Sequence, residues 1–127
     1  MARILIVDDD PDVVEFTTII LKKEGFAVSS ASNIIEGMAK LLKDKPQLII
    51  LDVMMDQPDD GFVMAQDIRA KGIRTPILML TSVGKALGIS FGKDKEMLPV
   101  DEFQEKPLDP KILVKKVKAL IEKAKEA

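Results

Sequence analysis

Apolar residues fall into two alternating patterns along this chain. Residues 4–7, 48–51 and 77–80 are unbroken apolar runs, the pattern of strands buried on both faces of a parallel sheet. Residues 26–31 and 100–104 are poorer in apolar side chains, and the mixed polarity of the second predicts an edge strand. Between these runs the apolar period lengthens. Asp10 and Pro11 read as an N-cap and first helical residue, Val13, Thr17, Ile20 and Leu21 follow at helical spacing, and Gly25 stops the helix. A second helix is predicted over 34–43 and a third over 61–70, ended by Gly72. A last helix follows Asp109 and Pro110, with Leu113, Val117, Leu120, Ile121 and Ala124 on its apolar face and lysines on the other. Gly84, Gly88, Gly92 and Pro99 interrupt the segment where a fourth helix is due, which predicts an irregular or shortened one.

Strands alternating with helices, joined by right-handed crossovers, make an α/β domain with helices on both faces of one sheet. The expected fold is flavodoxin-like: a doubly wound, five-stranded parallel sheet with the strand order 2-1-3-4-5 of that fold. In such a sheet the carboxyl ends of all strands lie along one edge. That geometry changes the meaning of four scattered groups. Asp8 and Asp9 follow the first run, Asp52 the third strand, Thr81 the fourth and Lys106 the fifth, so three carboxylates, a hydroxyl and an ammonium are expected in one crevice. Clustered carboxylates repel unless a cation relieves them. Magnesium takes oxygen ligands and completes its shell with water and phosphate oxygens. A carboxylate can also attack phosphorus to form an acyl phosphate, and Asp52 is the candidate nucleophile, with Thr81 and Lys106 placed to hold phosphoryl oxygens.

The composition narrows the chemistry further. The 127 residues suit one domain over 1–127, with 46% hydrophobic and 31% charged residues. Nineteen basic against 21 acidic residues leave a formal charge of -2, which gives no broad attraction to nucleic acid or membrane. Cysteine and histidine are both absent, which excludes disulfides, thiolate or imidazole metal sites and Ser-His catalysis. If phosphoryl chemistry occurs here, its donor therefore lies elsewhere. The apolar stretch near the N-terminus is too short for a secretory signal and no segment reaches the roughly 20 apolar residues of a membrane span, so the expected location is cytoplasmic.

The segments ILIVDDD, LIILDVMM, PILMLTS and EFQEKP, in that order, resemble the receiver domain of two-component response regulators over essentially the whole chain. The resemblance implies that Asp8 and Asp9 bind magnesium together with Asp52 and the backbone carbonyl of Met54, and that Asp52 is the phosphoacceptor. It implies that Lys106 pairs with the phosphoryl group and that Thr81 is the hydroxyl that moves toward it, with the small Ser82 leaving the pocket accessible. Phe103, three residues before Lys106, matches an aromatic switch, although read alone it is a core residue. Phosphorylation would then bias a two-state surface near the fourth helix and fifth strand. The implied partners are a histidine kinase or phosphotransfer protein and a downstream protein target. On this reading the chain is not an enzyme beyond its own phosphorylation and dephosphorylation, and it stands alone without an output domain.

Two departures stand out. Asp56 occupies a position where the family usually has proline, in a loop one residue longer than usual. The stretch between Thr81 and Lys106 is also longer and richer in glycine, and lacks the common Gly-Ala-Asp-Asp approach to the fifth strand. A receiver-like module that acts without phosphorylation is the alternative. A phosphatase with an aspartate nucleophile would need a second aspartate where Met54 stands, and GISFGK has the wrong spacing for a phosphate loop.

Overall fold

Three of the described helices start where a short polar side chain supplies an acceptor for the unpaired amides of the first turn. The computed structural model describes residues 2–53, 55, 60–81, 100–106 and 109–126. Its elements are β1 (Arg3–Val7), α1 (Pro11–Lys23), β2 (Ala27–Ala31), α2 (Ile34–Asp44), β3 (Leu48–Asp52), α3 (Asp60–Ala70), β4 (Ile77–Thr81), β5 (Glu102–Glu105) and α4 (Pro110–Glu126). Asp10 caps α1, accepting from Asp12 N at 2.9 Å, with Pro11 in its first turn. Asn33 caps α2 by accepting from Glu36 N at 2.8 Å, while Glu36 Oε1 accepts from Ser32 N in return. Asp109 Oδ1 takes the Lys111 and Ile112 amides of α4. Past the end of α1, Gly25 adopts φ +91°, a left-handed turn that L side chains disfavour, and its amide reaches back to Lys22 O.

The strands form one parallel sheet, as the alternating pattern predicts, in the order β2-β1-β3-β4-β5 expected from the flavodoxin-like fold. Alternate residues of each strand face opposite sides. Leu5, Val7, Ile49 and Leu51 pack with Met64, Ala65 and Ile68 of α3 and Leu41 of α2, while Ile4, Ile6, Ile50 and Leu78 pack with Leu21 of α1 and Leu113 and Val117 of α4. Both faces of β1, β3 and β4 are thus buried, which is why their sequences are unbroken apolar runs.

Strand β5 is the edge that its mixed polarity predicts, but it spans Glu102–Glu105 rather than 100–104. Its outer border is covered by side chains: Phe103 N donates to Glu102 Oε1 at 3.0 Å, and Phe103 O accepts from Lys116 Nζ of α4. Strand β2 starts at Ala27 rather than Phe26, whose amide is turned back to Leu21 O. Helix α2 runs one residue longer than predicted and α3 starts one earlier. Ala124 does not join the apolar face of α4. It is exposed, in an open groove with Gln47, Arg74 and Pro76. The irregular segment expected over 84–99 lies outside the described residues, as do Met54, Asp56, Ser82 and Pro107.

Leu21 is wholly buried between α1 and the sheet, whereas Ile19, two residues away, is 52% exposed. Leu21→Ala is expected to lower unfolding free energy by about 2–5 kcal/mol, and Ile19→Ala to change it by no more than about 0.5 kcal/mol. Urea unfolding of the two variants checks the pair.

Candidate functional site

The carboxyl edge of the sheet gathers the predicted charged residues. Asp8 follows β1 directly, and its amide bonds to Ala31 O at 3.1 Å, so the residue continues the ladder with β2. Its Oδ1 accepts from Asp10 N at 2.9 Å, which fixes the carboxylate under the start of α1. Asp52 is the last residue of β3, opposite Leu80 of β4. Lys106 follows β5, and its amide donates to Thr81 O at 2.9 Å, which keeps it on the same edge. Its Nζ lies 3.1 Å from Asp8 Oδ2 and 3.3 Å from Asp52 Oδ1. Residues separated in sequence by 54 positions therefore meet as an ion pair.

Asp8, Asp9 and Asp52 each offer a carboxylate oxygen within 4.8 Å of the others. Asp8 and Asp52 are buried and Asp9 is exposed. Such a set suits a hard cation, because every donor is oxygen and the outer member is open to water. A second observation agrees. Asp8 Oδ2 is buried without a hydrogen bond, since Lys106 approaches it as an ion pair outside hydrogen-bonding alignment. Its partner among the described residues is the Lys106 ammonium at 3.1 Å. An open groove of about 290 Å³ borders Asp8 and Asp9 and is also lined by Val14, Glu15, Ser30 and Glu36.

Thr81 ends β4 and is buried on this edge. Phe103 is also buried, packed in the cluster that includes Leu51, Met79 and Val100, a placement that suits a core residue and an inward-turned aromatic equally. Met54 and Ser82 belong to the residues not described. Gly61 is a contributor whose closeness to Asp52 the sequence reading missed. Its amide donates to Val53 O at 2.8 Å, and a Cβ there would sit 2.1 Å from Asp52 O. Only glycine lets the first turn of α3 press against the backbone of Asp52. A glycine shortly after a strand-end aspartate is the signal available in the sequence.

Burial and then the neighbouring Asp8 push the Asp52 carboxyl up to about 6, against the opposing pull of Lys106. Burial also works against the Lys106 ammonium, but Asp8 and then Asp52 outweigh it, so Lys106 is held above its ordinary value. The cluster therefore carries an excess of negative charge that one lysine does not cancel.

A family model described as response regulator receiver domain matches residues 4–118. Among curated relatives, the DNA-binding dual master transcriptional regulator RpaA of Synechocystis sp. is 36% identical over 124 residues, covering 95% of this chain and 49% of that protein. The alkaline phosphatase synthesis transcriptional regulatory protein PhoP of Bacillus subtilis is 33% identical over 129 residues, covering 98% and 50%. The chain thus spans about half the length of these relatives. Among solved structures, a two-component response regulator from Clostridium difficile superposes with a TM-score of 0.83 at 28% identity, covering 96% of this chain and 97% of that one. A CheY-like receiver domain protein from Methanospirillum hungatei gives 0.85 at 26% identity, covering 99% and 98%.

The raised Asp52 value has a consequence for stability. From about pH 4 to 6 the native protein holds a proton that the unfolded chain, with a carboxyl near 3.8, has released, so stability falls as pH rises through that window. Above it the cost of the ionised, buried Asp52 is fully present, up to about 3 kcal/mol for a shift of about two units. Without metal, Asp52→Asn is expected to be about 1–3 kcal/mol more stable than wild type at pH 7.5, with that slope abolished. Urea unfolding with a chelator, at several pH values, measures both. Gly61→Ala is expected to destabilise the fold by about 1–3 kcal/mol through the clash with Asp52 O, which the same titration reads.

Proposed function

The chain belongs to the response regulator receiver domain family, and from that premise we propose that it accepts a phosphoryl group on Asp52 from a phosphohistidine donor in a magnesium-dependent reaction. It is a signalling domain of two-component systems. The observation that carries the finer proposal is the position of one ammonium 3.3 Å from Asp52 and 3.1 Å from Asp8, beside the carboxylate of Asp9.

Asp52 acts as nucleophile. At neutral pH a carboxyl with a pKa of about 6 is mostly ionised, and one of its oxygens attacks phosphorus. The bond from phosphorus to the donor's imidazole nitrogen breaks, and the electron pair leaves with that nitrogen. An acyl phosphate remains on Asp52. Lys106, already paired with Asp52, holds a phosphoryl oxygen by a charge-assisted hydrogen bond, and Thr81 donates its hydroxyl to another. Asp8, Asp9 and Asp52 would hold the magnesium, with the Met54 carbonyl completing the set. When bound, the ion supplies neutralising charge for the phosphoryl oxygens. The donor that family membership points to is a histidine kinase or phosphotransfer protein, with acetyl phosphate as a small substitute.

Signalling then passes through protein contacts. Phosphorylation would bias a two-state surface at β5, with Thr81 and the already buried Phe103 as the switch candidates. The longer relatives named as transcriptional regulators carry about as much chain again, so whatever reads the signal can lie outside the region compared. No helix among the described residues is long and apolar enough to cross a membrane, and we assign the reaction to the cytoplasm.

Acetyl phosphate with magnesium is expected to produce one retarded band on a phosphate-affinity gel. Asp52→Ala and chelation are each expected to abolish it, and Lys106→Ala to slow its appearance by about a hundredfold. A wild-type chain that is never retarded would instead favour an interaction module that works without phosphate.

A further inference from the structure

Strand β5 has only four residues and one neighbour, yet it must deliver the Lys106 ammonium within about 3 Å of two carboxylates. A displacement of about 1 Å at such a site can cost roughly a hundredfold in rate. Something must hold this short edge strand in place along its length. At its far end, where the chain joins the sheet, Asp101 does more than precede the strand. Its amide donates to Ile77 O at 3.0 Å, and its Oδ2 accepts from Ile77 N at 2.8 Å. The side chain thus adds a rung to the ladder with β4, one residue before the backbone pairing of Leu78 with Glu102 begins.

Arg69 secures that rung. Its Nη2 donates to Asp101 Oδ2 at 2.9 Å, while Nη1 donates to Ile73 O at 2.9 Å and Thr75 O at 2.8 Å. One guanidinium therefore ties the end of α3, the turn into β4 and the start of β5. A planar fork with several fixed donors can do this, whereas a lysine ammonium cannot match its geometry. At the opposite end of the same two strands, the Lys106 amide donates to Thr81 O. The β4–β5 pair is pinned at both ends.

We propose that Asp101, held by Arg69, is a positioning residue for phosphoryl transfer: it sets the placement of β5 so that Lys106 reaches Asp52 and Asp8. This rests on the phosphoacceptor reading above. Asp101 and Arg69 touch neither the phosphoryl group nor its metal, and act through Lys106 alone.

The discriminating measurement is a double-mutant cycle on the 127-residue chain, using acetyl phosphate and magnesium well below the unfolding temperature. Asp101→Ala is expected to lower the maximal labelling rate about tenfold, with the half-saturating acetyl phosphate concentration unchanged. Asp101→Asn, which keeps an acceptor for the Ile77 amide, is expected to lose less. In a Lys106→Ala background, Asp101→Ala is expected to cause no further loss, because the group it positions is gone. If Asp101→Ala fails to fold, as circular dichroism would show, Asp101→Asn takes its place in the cycle. Labelling of the single variant at the wild-type rate, or multiplication of the two losses in the double variant, overturns the proposal. A wild-type chain that takes no label at all fails earlier, at the phosphoacceptor reading itself.

Discussion

Two buried carboxylates face one ammonium, and the rest of the structure is arranged around that imbalance. Asp8 and Asp52 sit at the ends of adjacent strands, where burial removes the water that would screen them. Lys106 supplies one positive charge between them. Asp9 adds a third carboxylate at the solvent side. An arrangement of this sign is costly in isolation and would be relieved by a divalent cation held among the three carboxylates. Burial and then the charge of Asp8 lift Asp52 to about 6, which leaves it mostly ionised at neutral pH.

The parallel sheet is what makes such crowding possible. Strand pairing fixes Asp52 opposite Leu80 and Glu105 opposite Thr81, so neighbouring strand ends present their side chains at one level. The apolar clusters on both faces keep β1, β3 and β4 from shifting. The edge strand β5, which carries Lys106 at its end, has a neighbour on one side only. The concentration of side-chain hydrogen bonds around Asp101 and Arg69 lies where the backbone ladder alone is least able to hold position.

Much of this was legible in the chain. Unbroken apolar runs ending in Asp8, Asp52 and Thr81 identify both the strands and the edge where they meet, because a strand buried on both faces leaves no other place for a polar side chain than its end. Lys106 was legible from its position after a strand-like segment before proline. The Asp101 rung was not. Its meaning depends on Arg69, 32 residues away, and on a turn whose carbonyls Arg69 collects, none of which leaves a periodic trace. Gly61 is visible at the start of a predicted helix, but its need for glycine comes from the backbone of Asp52 and leaves no local trace. Ala124 has the helical phase of a core residue, but beside it lies an open groove instead of a packed strand, and periodicity carries no record of where a sheet stops.

The pairing of Glu102 and Lys116 over the main chain of Phe103 also determines how other proteins can approach this border. An unprotected edge strand invites a foreign strand to extend the sheet, which leads to fibrous or promiscuous association. Here the amide and carbonyl that such an intruder would use are already engaged by Glu102 and Lys116. At Phe103, recognition is therefore left to side-chain relief and charge, since its main chain is already taken.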